Sequence, residues 1–235
     1  MTEGSEGMIE SVNGGRQVDA PMVQLCVDLR TLPDAIEVAQ MGLRAGVDWL
    51  ELGTPLISWV GLNSLAAFGA AFPDGVKFVD AKVMDASAPY VKTAGELGMQ
   101  MVCLCASASD ATFRAALAAG KENGVKVVGD LYAVADPVRR AEELIDLDVD
   151  AIYLHYGYDQ LNESVSGNQT LEHLTRLRKL TELPLGIVTA DTEFAERAVA
   201  EGADILLVSH PYLVGDGVEE KLADYVTRVK SAARS

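Results

Sequence analysis

From about residue 22 onward the chain alternates short, β-branched apolar runs with amphipathic stretches of helical length, and it does so eight times. The expected strands are 23-VQLCVD-28, 48-DWLELG-53, 76-VKFVDAK-82, 100-QMVCLC-105, 125-VKVVGDL-131, 150-DAIYLHY-156, 184-PLGIV-188 and 204-DILLVS-209. Between them lie segments such as 33-PDAIEVAQMGLRAG-46, where Ile36, Ala39, Met41 and Leu43 suit a helix packed on a sheet and Gly46 stops it. Three connections repeat one phrase before the next strand: 45-AGVDWLEL-52, 97-LGMQMVCL-104 and 202-GADILLVS-209. Eight β/α units predict a closed (β/α)8 barrel, a TIM barrel, with an open doubly wound sheet as the alternative.

At 235 residues and 49% hydrophobic, the chain is long enough for one large core, placed here over residues 22–235 as a single domain. Residues 1–21, MTEGSEGMIESVNGGRQVDAP, are polar, acidic and Gly-rich, the composition of a flexible leader rather than a signal peptide. The formal charge is -16, from 35 acidic and 19 basic residues, which argues against nucleic acid or an anionic membrane surface as partner. No apolar run approaches the roughly 18 to 20 residues that span a bilayer. Cys26, Cys103 and Cys105 lie in apolar runs without metal-type spacing and read as reduced core thiols, as in a cytoplasmic protein.

In a barrel of this kind the chemistry sits at the carboxyl ends of the strands. The first expected strand ends in Asp28; the second carries Glu51 before Gly53-Thr54-Pro55. The third carries Asp80 and Lys82, two apart and so on one face, with Asp85 on the loop beyond; the sixth carries His155. A lone charge at a strand end is more often a solvated rim group or a helix cap, and Asp110, Asp136 and Asp191 read as caps. Lys82 among four carboxylates is different: such a group offers a divalent-cation site, a cation for an oxyanion, and proton carriers in one cleft. His173, in LEHLTRLRKL, reads as a solvated helix residue, and 157-GYDQLNESVSGNQT-170 as a lid loop.

The segments 26-CVDL-29, 50-LELGTP-55, 80-DAKVMDA-86 and 154-LHYGYD-159, in this order, resemble the hexulose phosphate synthase and ketogulonate phosphate decarboxylase group of the orotidine monophosphate decarboxylase superfamily. The resemblance runs from about Val23 to Lys230; DxKxxD is the superfamily signature, and LELGTP and HxGYD lean towards the hexulose phosphate synthase branch. It implies a magnesium-dependent lyase acting on a ketose phosphate through an enediolate, such as the aldol addition of formaldehyde to ribulose 5-phosphate. Glu51 and Asp80 match the family's Mg2+ ligands, Lys82 the lysine beside the reacting atoms, Asp28 and Asp85 its polar partners, and His155 a proton carrier. In the family the aspartate at the position of Asp85 reaches the neighbouring subunit's site, which implies a homodimer with shared active sites.

The resemblance is weakest after strands seven and eight, where the family holds substrate phosphate on backbone amides of glycine pairs. Here the strands run 185-LGIVTADT-192 and 206-LLVSHPYLVGDG-217, and Pro211 removes one donor. Thr189, Ser209 and His210 remain as side-chain candidates for the phosphate, and His210 reads equally as a helix-entry residue. Three functions stay open on these residues: the aldolase, a decarboxylase of a 3-keto sugar acid phosphate or a related isomerase, and a homologue with a non-phosphorylated substrate or no turnover.

Overall fold

A computed structural model describes residues 20–157, 159–160 and 167–232. Eight parallel strands close on themselves in sequence order: β1 (Met22–Val27), β2 (Trp49–Leu52), β3 (Val76–Val83), β4 (Met101–Cys105), β5 (Lys126–Asp130), β6 (Ala151–Leu154), β7 (Leu185–Val188) and β8 (Ile205–Val208), with β8 pairing back onto β1. The closed (β/α)8 barrel expected from the alternation is the fold observed, and the open sheet is excluded. Each strand lies within one or two residues of its expected position. The trimmed residues, among them Asp28, Gly53 and Ser209, stand just past the ladder, where the chain turns off the sheet.

Among the described residues the helices are α1 (Leu32–Arg44), α2 (Thr54–Val60), α3 (Asn63–Ala71), α4 (Ser87–Glu96), α5 (Asp110–Asn123), α6 (Pro137–Asp146), α7 (Gly167–Leu180), α8 (Thr192–Ala200) and α9 (Val218–Ser231). That is one more than the eight expected stretches, because the β2–β3 connection is broken at Gly61, whose φ of 80° is open to glycine at little cost. Asp136 and Asp191 cap α6 and α8 as expected, accepting from the amides of Arg139 and Phe194. Asp110 does not: Ser109 caps α5, and Asp110, in its first turn, pairs with Arg140 at 2.8 Å. Of the leader, residues 1–19 lie outside the described residues, as do 158 and 161–166 of the expected lid. No described helix is long and apolar enough to cross a membrane.

The period-two alternation along each strand sorts side chains into two apolar layers. Val23, Leu25 and Val27, with Leu50, Leu52, Val79 and Val102, face the helices. Met22, Cys26, Trp49, Val76, Phe78, Met101, Cys103, Val128, Ala151, Tyr153, Ile205 and Leu207 fill the barrel itself. Continuing the inward-facing set one step towards the carboxyl ends replaces carbon with Glu51, Asp80, Asp130 and His155. The site therefore rests on a largely apolar plug of buried side chains.

Candidate active site

Local sequence explains how the second strand builds its share of the rim. In 50-LELGTP-55, Leu50 and Leu52 pack outward and Glu51 turns inward, buried to 4% exposure. A Cβ on Gly53 would lie 1.9 Å from Asp28 Oδ1, so only glycine lets β1 present that carboxylate. Thr54 Oγ1 donates to both Oδ2 and the backbone oxygen of Asp80, each at 2.9 Å, and Pro55 starts α2.

Lys82 reaches the site by a route strand alternation does not supply. The β3–β4 register shifts between Val79 and Val83, and Lys82 has φ of 46°, in the left-handed region that disfavours any residue with a Cβ. This bulge folds the side chain back on its own strand: Nζ lies 2.5 Å from Asp80 Oδ2 and 3.2 Å from Asp130 Oδ2. Burial alone would push the ammonium towards neutrality. Asp80 and Asp130 outweigh it and raise its pKa, as expected when each such pair is worth about 4 kcal/mol at 4 Å and an effective dielectric of about 20.

Asp130, the last residue of β5, is the hub that sequence reasoning missed. It is 2% exposed, and its Oδ2 takes Lys82 Nζ, His155 Nδ1 at 2.8 Å and the Cys103 thiol at 3.7 Å, while Oδ1 accepts from the Tyr132 amide at 3.0 Å. Burial would raise this carboxyl, but His155 and then Lys82 hold it below the usual range. An ionised carboxylate oxygen can only accept from the imidazole, so Nδ1 carries a proton, and in the neutral ring Nε2 is the nitrogen with the lone pair. Tyr132 walls the same space, its ring centroid 5.7 Å from Lys82 Nζ and 5.4 Å from the His155 ring. A Cβ at Gly157 would meet that ring at 2.4 Å, which accounts for the glycine in 154-LHYG-157.

Glu51 and Asp28 form the opposite, cation-poor side. Glu51 is pushed up to about 8, first by burial and then by the charges of Asp80 and Asp28. Asp28 is raised mainly by burial, although Ser209 Oγ donates to its Oδ2 at 2.5 Å. Four carboxylates thus share Lys82 as the one lysine in the group. The ligand atoms of Asp80, Cys103 and Asp130 lie within 4.8 Å of one another, a possible metal grouping. Lys82 already bridges its two carboxylates, and the buried Cys103 thiol is a soft sulfur donor, a poor ligand for a hard cation. Glu51 with Asp80 is the better fit: oxygen donors only, crowded enough that Glu51 resists ionising, with no hydrogen bond to Glu51 Oε1 among the described residues.

Of the residues expected at the site, Asp80, Lys82 and His155 meet through Asp130, and Asp28 joins Ser209. His210 Nε2 lies 3.3 Å from the Asp28 backbone oxygen. Thr189 stands apart: among the described residues its hydroxyl bonds only within its own loop, to Asp191. Asp85 is exposed and makes no hydrogen bond or ion pair among the described residues. The three cysteines are free and buried, as expected, yet Cys26 and Cys103 also touch Glu51 and Asp130. His173 is not the solvated residue expected: its Nδ1 bonds the Tyr156 hydroxyl at 2.5 Å and the two rings stack, tying α7 to the end of β6.

The family model for orotidine 5'-phosphate decarboxylase / HUMPS matches residues 21–216. Among curated proteins the chain is similar to 3-hexulose-6-phosphate synthase of Bacillus subtilis, 33% identical over 156 residues that cover 66% of this chain and 72% of the relative. Among solved structures it is similar to a 3-hexulose-6-phosphate synthase, at 28% identity and a TM-score of 0.79, covering 87% of this chain and 99% of that one. A 3-keto-L-gulonate-6-phosphate decarboxylase from Vibrio cholerae shares the fold at 21% identity and a TM-score of 0.76, covering 89% of this chain and 99% of the other.

Proposed function

The chain belongs to the orotidine 5'-phosphate decarboxylase / HUMPS family, and from that premise we propose that it is a carbon–carbon lyase of the 3-hexulose-6-phosphate synthase type. In that reaction formaldehyde and a ketopentose phosphate are joined, or the product cleaved. The observation that carries the reading is the convergence of Lys82 Nζ and His155 Nδ1 on one oxygen of Asp130. It leaves His155 Nε2 a base beside a fixed ammonium. His155 takes a proton from the carbon next to the substrate ketone, and Lys82 stabilises the negative charge that develops on the resulting enediolate. That carbon then bonds to the formaldehyde carbon, and the imidazolium returns its proton to the new alkoxide.

Glu51 and Asp80 are the residues that would hold Mg2+, with Asp28 near enough to add charge. The ion, when bound, supplies Lewis-acid polarisation of the substrate's oxygens. Chelation is expected to abolish turnover and Mg2+ to restore it; full activity in stripped protein would remove Glu51 and Asp80 from this role. Because Glu51 holds its proton up to about pH 8 without an ion, binding must release that proton at lower pH. Apparent Mg2+ affinity is therefore expected to rise as pH climbs from 6 towards 8 and to level off above, as titration calorimetry would read.

Asp85 is proposed to complete the site of a second copy. It lies exposed on the β3–α4 connection, next to Met84, which is 55% exposed, and Trp59 and Tyr90 on the flanking helices are also exposed. The assay that tests the main reading follows formaldehyde consumption with ribulose 5-phosphate. Carbon dioxide release from a 3-keto sugar acid phosphate, with no formaldehyde exchange, would move the protein to the decarboxylase side.

A second reading, in which the substrate lacks a terminal phosphate, is favoured by the β7 and β8 loops. The amides of Thr189, Asp191 and Tyr212 are bonded within the protein, Pro211 has none, and Ser209 is turned onto Asp28. The cap carboxylate of Asp191 also occupies the N-terminus of α8, where an anion would otherwise sit. Comparing kcat/KM for a phosphorylated ketose and its dephosphorylated form decides between the two. A preference of about 100-fold or more for the phosphate ester would sink the second reading.

A further inference from the structure

Glu51 is anchored from beneath by a chain of hydrogen bonds that the proposed chemistry does not use. Both bonds that its carboxylate accepts fall on Oε2, one from Gln24 Nε2 and one from Cys26 Sγ at 3.1 Å. Gln24 has no exposed surface, so its amide cannot exchange partners with solvent. Its Oε1 accepts from the Tyr153 hydroxyl at 2.7 Å. A side-chain amide has two orientations related by a half-turn, and the other would set the Gln24 carbonyl against the Glu51 carboxylate once Glu51 is ionised, as it must be to hold a cation. The flipped amide would also leave the Tyr153 proton without an acceptor, so Tyr153 and an ionised Glu51 favour the same orientation.

Tyr153 is itself held by shape. Its ring stacks on Phe78 with centroids 5.3 Å apart and planes within 11°. It fills the space left by Gly186 on β7, where a Cβ would come within 2.4 Å of the ring. A relay thus crosses the barrel floor from β6 through β1 to β2, ending on the carboxylate read above as a cation ligand.

We propose that Tyr153 and Gln24 are positioning residues: the Tyr153 hydroxyl sets the Gln24 amide, the amide pins Glu51 Oε2, and Oε1 is left for the cation or substrate. The role of Glu51 in this statement rests on the function proposed above; the relay itself does not. The competing explanation is that the chain only satisfies buried polar groups.

Tyr153→Phe separates the two, because it deletes one hydroxyl and keeps the ring, its stack and its fit against Gly186. A positioning role predicts a loss of about 10- to 100-fold in kcat with KM nearly unchanged, and a similar loss in Mn2+ affinity read by paramagnetic resonance. Gln24→Met should lose at least as much, and the double variant no more than Gln24→Met alone, since both break one series. Wild-type kcat and ion affinity in Tyr153→Phe, or strictly additive losses, would overturn the proposal. A crystal structure of Tyr153→Phe tests the relay whatever the substrate proves to be: Glu51 should change rotamer or spread over two, and an unmoved Glu51 rejects the idea. Absence of Mn2+ binding by the wild type would instead strike the metal reading alone.

Discussion

Lys82→Ala is expected to leave a folded barrel with turnover reduced by at least about 1,000-fold. Removing one preorganised donor from a developing oxyanion already costs about 100- to 1,000-fold. Here the lost group also neutralises Asp80 and Asp130, at 2.5 and 3.2 Å. Without it, the remaining carboxylates repel the very charge the reaction must build. Lys82→Arg should fare little better, because a planar guanidinium carried by the same left-handed backbone cannot place one donor between the two oxygens. Steady-state kinetics on the true substrate, with circular dichroism to verify folding, reads the result. An alkylammonium ion small enough to enter the vacated space should restore part of the rate to Lys82→Ala and none to Lys82→Arg. Near wild-type activity in Lys82→Ala would end the lysine-centred mechanism.

The fold was legible because the alternation of apolar strands and amphipathic helices leaves few ways to bury eight strands, and each strand was found close to its expected place. Asp28, Glu51, Asp80, Lys82 and His155 were legible by one criterion, a polar group at the carboxyl end of an apolar run. Asp130 meets that criterion in 125-VKVVGDL-131 but carries no motif, and its importance depends on which strand ends the barrel's stagger brings level. No sequence signal reveals that Lys82 takes a left-handed conformation, since a non-glycine residue held there is supported only by its surroundings. The same holds for the β8 loop. The missing glycines were visible, but not that Ser209 would spend its hydroxyl on Asp28. His173 looked solvated because helical periodicity says which face is apolar, not that Tyr156 stands opposite.

Asp130→Asn tests the part that sequence left dark, and it should lower kcat by about 100- to 10,000-fold, the range associated with a misplaced general base. Asparagine keeps the size of the side chain but turns one oxygen into a donor. Because Lys82 Nζ and His155 Nδ1 both meet Oδ2, an amide that keeps its oxygen there sets its NH2 against the Tyr132 N–H at the Oδ1 position, whereas the flipped amide relieves that clash but turns its NH2 on both Lys82 and His155. The flipped arrangement forces the proton onto Nε2, where the base should be, and 15N chemical shifts of His155 would record that switch of tautomer. Stability supplies an independent readout with a definite sign. Asp130 has its folded pKa depressed by His155 and Lys82 despite burial. Its charge therefore stabilises the fold at any pH above the unfolded value of about 3.9, and that contribution is lost as pH falls through the folded pKa. Wild type should thus exceed Asp130→Asn in melting temperature at pH 7, and the gap should close below pH 4. A gap independent of pH, together with an unchanged His155 tautomer, would mean that Asp130 only fills space, and the base would have to be sought elsewhere on the rim.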